Sequence, residues 1–427
     1  MMNRLLKNEY VFSVLTKILM VFVGFAHSVA IARFLGAELK GIMSSTQSIV
    51  NILAIIITFG VHEAYPFYRK KYGDTNFLNS YMSYICVLHI IYMVIGIILS
   101  FFFTSAGIVE VFACICAPIS GYAIVSGYVC LVEYPRNRNA AFLSISILET
   151  IFAGILFFVT DSNYFWLFVL LVFSDLFKSV YFTYKLHFNF SLKYIHKELI
   201  VELLKFGFFP MLALLLTSLN YKIDIIMLNM SRNITMAQIG VYSIGVALAD
   251  KTVYIPDAVK EILLSKLAKG KKEEEVARAT RMCFPISIIM VIAIFMVGAP
   301  LIDFLYGSEY SGAFSVTVIC VFGTAVMVFF KMIAQYNVVN KKQIINVIML
   351  SVSVLVNIVL NILLIPKYGI IGAAIASIIG YFICAIVFVV YFSKVSSIPI
   401  REIVFLTKDD LTLIKNVVNK NRKENKL

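Results

Sequence analysis

An all-α polytopic membrane protein of about twelve transmembrane helices is the fold this chain predicts. Three observations carry that expectation. Apolar residues fill 61% of 427 positions and mean hydropathy is +0.91, while only 14% of residues are charged, against about 25% in soluble domains. Apolar runs of about 20 residues or more, the length that crosses a bilayer as a helix, recur between short charged punctuation. The short, strictly alternating segments of a membrane β-barrel are missing.

The spans fall near 9–33, 40–66, 77–103, 107–132, 138–160, 163–187, 203–229, 235–264, 276–304, 311–337, 343–365 and 370–393. Lys17 interrupts the first apolar run, which therefore reads as an uncleaved span rather than a signal peptide. One set of loops holds roughly 27 of the 37 lysines and arginines, and the alternate set holds Arg33, Lys40, Arg232 and Lys367. That bias places both termini in the cytoplasm, which demands an even number of spans. The net charge of +13 follows from basic cytoplasmic loops, and nucleic acid is not an expected partner.

Residues 188–202 (FNFSLKYIHKELIVE) form the longest polar interruption in the first eight spans and read as a short interfacial helix. The expected division is an N-terminal six-helix bundle over 1–187, that linker, a C-terminal six-helix bundle over 203–393, and a basic cytoplasmic tail over 394–427. FLGAELKGIMSSTQSI after the first span has a weak counterpart in NITMAQIGVYSIGVAL after the seventh, as internally repeated transporters show.

Ionisable side chains inside spans are costly and face protein interiors or water-filled cavities. Asp175 and Lys178 are three residues apart on one helix face and suit an ion pair. Lys205 lies near an interface and can snorkel. For Lys17 and Lys331, snorkelling and a cavity role stand side by side. Lys222 and Asp224 point to different faces and need separate partners. Asp250 and Asp257, seven apart, stack beside Pro256. His27, His62 and His89 read as hydrogen-bonded packing residues, with a proton role left open for His62 beside Glu63. Lys17, Lys222, Lys251 and Lys331 are the candidate lining of an anion-binding cavity.

The seven cysteines lie in apolar segments without a C-x-x-C pair, so neither a disulfide framework nor a metal site is expected. There is no G-x-x-x-x-G-K-[ST], no H-E-x-x-H and no Ser/His/Asp arrangement, so the expectation is a secondary transporter and not an enzyme. An ion gradient or the membrane potential, about 2.3 kcal/mol per charge per 100 mV, would drive it. No cofactor is expected beyond a coupling ion, Na+ or H+.

NILLIPKYGIIGAAIAS at 361–377 resembles the junction of spans eleven and twelve in the polysaccharide, or O-antigen, flippase family. ARFLGAELKGI at 32–42 resembles that family's first outer loop, SLNYKIDIIMLNM at 218–230 its seventh span, and IGVYSIGVAL at 239–248 its eighth. The family belongs to the multidrug/oligosaccharidyl-lipid/polysaccharide exporter superfamily. The resemblance implies two six-helix bundles in a V around a central cavity. It also implies translocation of an undecaprenyl-pyrophosphate-linked oligosaccharide across a bacterial inner membrane, with membrane lipids and polysaccharide-assembly proteins as partners. In the related lipid II flippases, an acid on the seventh span and polar groups on the last two hold a monovalent cation. The matching residues here are Asp224, Asn357, Asn361 and Ser377, with an amide where that branch has a second acid; Asp250 and Asp257 are further ion-coupling candidates.

Two other classes compete. A multidrug or cation exporter of the same superfamily calls for a more acidic, aromatic cavity than the buried lysines offer. A membrane-embedded polymerase or ligase calls for a large outer catalytic loop, and the outer loops here are short.

Overall fold

Glycine breaks decide where the apolar runs of this chain become separate helices. The computed structural model describes residues 9–73, 75–103, 107–268, 270, 273–340, 342–410 and 412. Those residues form thirteen α-helices joined by short turns: α1 (Glu9–Thr58), α2 (Val61–Tyr72), α3 (Thr75–Phe102), α4 (Ile108–Glu133), α5 (Pro135–Val159), α6 (Tyr164–Leu186), α7 (Lys197–Met230), α8 (Met236–Ala249), α9 (Tyr254–Ala268), α10 (Glu273–Tyr306), α11 (Ala313–Val339), α12 (Gln343–Ser396) and α13 (Ile400–Val404). Nine stretches of the described residues are long and apolar enough to cross a membrane, and two of these, Leu19–Tyr72 and Gln343–Ser396, run to 54 residues each. At 1.5 Å per residue a straight helix of that length would span about 80 Å against a hydrocarbon core of about 30 Å. Each therefore holds two crossings. The bends are at Gly36 (φ 68°, ψ 176°) and Gly369 (φ 57°, ψ −134°), where a Cβ would be strained.

The chain divides into two compact units: residues 1–241 with 304–310, and residues 242–303 with 311–427. Residues 188–202 lie within the first unit.

In the first unit, the expected span 40–66 stops at Thr58. Phe59 and Gly60 both take positive φ, and α2 leaves in a new direction. The backbone of Gly207 on α7 packs so closely on Phe59 and Gly60 that neither Gly60 nor Gly207 has room for a Cβ. The expected interfacial helix over 188–202 is a 3-10 turn, Leu192–Tyr194, followed by the first turns of α7. The apolar residues Ile195, Leu199 and Ile200 are partly buried against a core to which α2, α3 and α4 contribute. At that end of the unit Glu133 accepts from Arg69 Nε and Tyr65 Oη, each at 2.6 Å.

In the second unit, the expected span 235–264 is interrupted by a 3-10 segment, Asp250–Val253, between α8 and α9. Pro256 lacks the amide that would continue the α-helical ladder at this point. The Thr252 hydroxyl donates back to the Ala249 carbonyl at 2.8 Å. Small residues let the helices close: Gly323 of α11 sits on Ile378 and Tyr381 of α12, and Gly372 sits on the Leu364 backbone across the Gly369 bend.

The cytoplasm-predicted tail begins as a docked structure. Arg281 of α10, 2% exposed, pairs with Asp410, which is fully buried, and also with Glu274 at 2.6 Å and the Glu402 carbonyl at 3.1 Å. Burial alone would raise the Asp410 carboxyl. Hydrogen bonds from Arg281 and from the Thr407 hydroxyl and amide outweigh it and hold the carboxyl below its ordinary value.

Candidate functional site

The first unit carries a charged cluster inside apolar helices. His27 and Lys40 lie on α1 either side of the Gly36 bend, Glu149 on α5, Asp175 and Lys178 on α6, and Lys222 on α7. His27 Nε2 is 3.7 Å from Glu149 Oε1. Lys178 Nζ is 3.2 Å from Asp175 Oδ1, and the three-residue spacing on one helix suffices to bring them together. Ser174 hydrogen-bonds Glu149. Lys40 and Lys222, both half-buried, are close enough to repel each other. Neither has a carboxylate within ion-pair distance among the described residues. Nearby, Ser218 donates to Asn51 Oδ1 at 2.6 Å and ties α7 to α1.

Two like charges within electrostatic range in a low-dielectric setting repel more strongly than in water. An anion between them would convert that cost into two charge-assisted contacts. The arrangement can therefore hold a multivalent anion and release it, because ammonium groups on flexible stems grip as point charges.

The four expected cavity lysines do not all share this setting. The side chain of Lys17 lies outside the described residues. Lys222 is in the cluster above. Lys251, in the second unit, donates to Tyr254 Oη at 2.8 Å and sits 4.9 Å from its ring centroid. Lys331, also in the second unit, is 11% exposed and contacts both Asp257 oxygens at 2.8 Å, so its charge is matched. Lys260 also reaches Asp257, at 3.3 Å. Asp250 is within electrostatic range of Lys331. The interrupting 3-10 segment means that Asp250 and Asp257 do not occupy one regular helix.

Of the ion-coupling residues, Asn357, Asn361 and Ser377 come together across the Gly369 bend, at 0%, 0% and 2% exposure. Asn361 Nδ2 donates to Asn357 Oδ1 at 2.6 Å, and Asn357 Nδ2 donates to Ser377 Oγ at 3.3 Å. One turn further, Ser353 donates to the Gly380 carbonyl at 2.9 Å. Asn361 Oδ1 is buried without a hydrogen-bond partner. As a test of fit for a cation, the set supplies one free oxygen here, the others being occupied within the chain of amides. Asp224, 3% exposed, belongs to the first unit and accepts from the Ile225 amide at 2.8 Å.

Sequence reasoning put Lys40 in an outer loop. The structure starts the second crossing immediately after Gly36, which carries Lys40 into it. The glycine was the available signal; the proximity to Lys222, 182 positions later, is tertiary and left no local trace.

No curated protein sequence matches the chain. Three solved structures share its fold. An inward-facing multidrug resistance MATE family transporter of the MOP superfamily aligns at TM-score 0.69 and 14% identity, over 91% of this chain and 98% of its own. The lipid II flippase MurJ in an inward closed conformation aligns at TM-score 0.65 and 15% identity, over 92% and 88%. An outward-facing MATE transporter aligns at TM-score 0.62 and 14% identity, over 91% and 96%. Multiple apolar helices and these neighbours make the chain a multi-pass membrane protein with a transporter fold. Residues 30–315 match the family described as polysaccharide biosynthesis protein, and with two thirds of its length so matched, the chain belongs to that family.

Proposed function

We propose that this protein is a flippase that moves an undecaprenyl-pyrophosphate-linked oligosaccharide, an O-antigen or capsule repeat unit, from the cytoplasmic to the outer leaflet of a bacterial inner membrane. The observation that carries the reading is Lys40 and Lys222: two half-buried lysines of one unit, within electrostatic range of each other and neither ion-paired to a carboxylate among the described residues, in a member of a polysaccharide biosynthesis family. A diphosphate supplies the missing charge. Lys17 and Lys251 are further cationic candidates for the anionic group, and Lys331 acts through its Asp257 pair.

Alternating access delivers the cargo, with both termini cytoplasmic as the basic loops require. For the coupling ion, Asn361, Asn357 and Ser377 are the candidate oxygen donors of the second unit and Asp224 the candidate acid of the first, groups that suit a hard monovalent cation. Asp250 and Asp257 are secondary candidates because Asp257 is already engaged by two lysines.

The test is export. Lys40→Gln and Lys222→Gln, each at wild-type expression, are expected to lower surface polysaccharide at least tenfold, and Arg at either position to restore part of it. Normal surface polysaccharide in both Gln variants, or dye sensitivity instead of polysaccharide loss on deletion, would contradict the reading.

A further inference from the structure

Two cavities in the first unit share one residue. A slot of about 340 Å³ lies between α1 and α5, walled by Ala30, Gly154, Phe157 and Phe158. Phe158 is 86% exposed and Gly154 has open space where a side chain would stand, so the slot opens on an apolar face suited to lipid. A second cavity of about 920 Å³, the size of a small-molecule site, extends along the Gly36 bend. It takes in Glu38, Ser162, Asn163, Tyr164 and Glu309. Arg33 lines both.

Three polar side chains of the larger cavity, Arg33, Asn163 and Glu309, are held by hydrogen bonds. Arg33 donates Nε to the Leu305 carbonyl at 2.8 Å and Nη2 to the Phe304 carbonyl at 2.7 Å, which leaves Nη1. It makes no ion pair with a carboxylate among the described residues. Asn163 Oδ1 accepts from the Trp166 amide at 3.1 Å and leaves its own amide hydrogens. Glu309 Oε2 accepts from the Ala37 amide at 3.1 Å and leaves Oε1. The Tyr164 ring is half exposed.

Each part selects a different chemistry. An apolar slot open to lipid takes a hydrocarbon chain. An uncompensated guanidinium with a free donor takes a phosphate oxygen. Pre-oriented amide, carboxylate and hydroxyl groups beside an aromatic ring take a hydroxyl-rich ring with an apolar face, which is a sugar. Glu38 and Glu309 repel an anion, so the anionic group belongs at Arg33 and the neutral head beyond it.

We propose that slot, Arg33 and polar cavity form one site for an amphiphile built of a hydrocarbon chain, a phosphate linker and a sugar head. The proposal rests on the flippase reading and assigns its cargo a station at the outward end, separate from Lys40 and Lys222.

Trp166, the chain's one tryptophan, stands three residues after Asn163 and reports on the cavity. Full-length protein in phosphatidylcholine nanodiscs is titrated with undecaprenyl-diphosphate-N-acetylglucosamine, with sugarless undecaprenyl diphosphate and with phosphatidylglycerol. The glycosylated probe is expected to shift Trp166 emission saturably. Arg33→Gln should weaken it at least tenfold, and Arg33→Lys less. Gly154→Phe, which fills the slot, should weaken both polyprenyl probes. Tyr164→Ala should weaken only the glycosylated one, severalfold. Thermal melting in the same discs confirms that each variant is folded, and Arg33→Lys keeps the test informative if Arg33→Gln is not. Equal affinity for phosphatidylglycerol makes this an ordinary anionic-lipid site and overturns the proposal, as does a titration untouched by Arg33→Gln and Tyr164→Ala. Export separates the two levels. Loss with Lys40→Gln and Lys222→Gln, beside wild-type probe binding in the Arg33 and Tyr164 variants, removes the outer site and leaves the flippase reading standing. Normal export in the lysine variants removes the flippase reading whatever Arg33 binds.

Discussion

Asn361 gives an amide hydrogen to Asn357 across 2.6 Å and keeps its own carbonyl oxygen buried with no partner. A packing amide gains little from such an arrangement: the bond stays within one helix arm at four-residue spacing, and even hydrogen bonds between membrane helices average only about 0.6 kcal/mol. A buried amide oxygen with no hydrogen-bond partner among the described residues is instead a candidate ligand. Asn361→Leu is expected to fold at nearly wild-type yield and to lose export. Asp224→Asn should do the same, with no further loss in the double variant. Additive losses in a transport assay would separate the two residues.

Opposite charge in the lysine pair should trade function for stability. Lys40→Glu replaces a repulsion with an attraction to Lys222, worth on the order of 1 kcal/mol or more at partial burial. The melting temperature in detergent should rise while export falls to background. A lower melting temperature would show that Lys40 and Lys222 do not feel each other.

Glycine at 240 is required by contact. A Cβ there would be driven into the Ala37 carbonyl, and one on Gly41 into the Met236 carbonyl. Backbone cannot step aside as a side chain end can, so Gly240→Val should cost about 1–3 kcal/mol and reduce folded yield. Gly154→Ala, with open space around it, should instead gain up to about 1 kcal/mol through helix propensity. Thermal unfolding of the two variants side by side checks the contrast.

Acid should release the tail. The Asp410 carboxyl sits below its ordinary value of 3.8 in the folded protein. A depressed carboxylate adds stability that is fully present above the unfolded value and is lost as pH falls through the folded one. Proteolysis near residue 405 should therefore stay slow from pH 7 to about pH 4 and quicken below. Asp410→Ala leaves Arg281 buried without its main partner and should cost about 3–5 kcal/mol locally, giving fast cleavage at every pH. Cleavage of the wild type that is independent of pH down to 3 would refute the role of the pair.

Much of the fold was legible because a bilayer imposes a length and a charge rule on the sequence. The Pro366–Gly369 turn announced itself by composition, and the Asp175–Lys178 pair by spacing. The break at Phe59 did not: a phenylalanine in positive φ next to one glycine looks apolar and continuous, and what forces it is the close packing of Gly207 from another helix. The charged cluster was legible only in its parts. Asp175, Lys178 and Lys222 stood out as ionisable residues inside spans, but which groups gather around them is decided by helices distant in sequence. The Lys331–Asp257 pair left no local trace for the same reason, since Asp257 lies 74 residues before Lys331.

The bend at Gly369 also bears on how the chain is made. Its two arms close over each other through Asn357 to Ser377 and Ser353 to Gly380. Either arm alone would carry bare amide or hydroxyl groups into hydrocarbon, where each unsatisfied group is costly. Paired, they present lipid with a sealed apolar surface. The hairpin is thus suited to leave the insertion machinery as one unit after both arms have been synthesised, and a pause between them would expose the asparagines at the moment when nothing else could satisfy them.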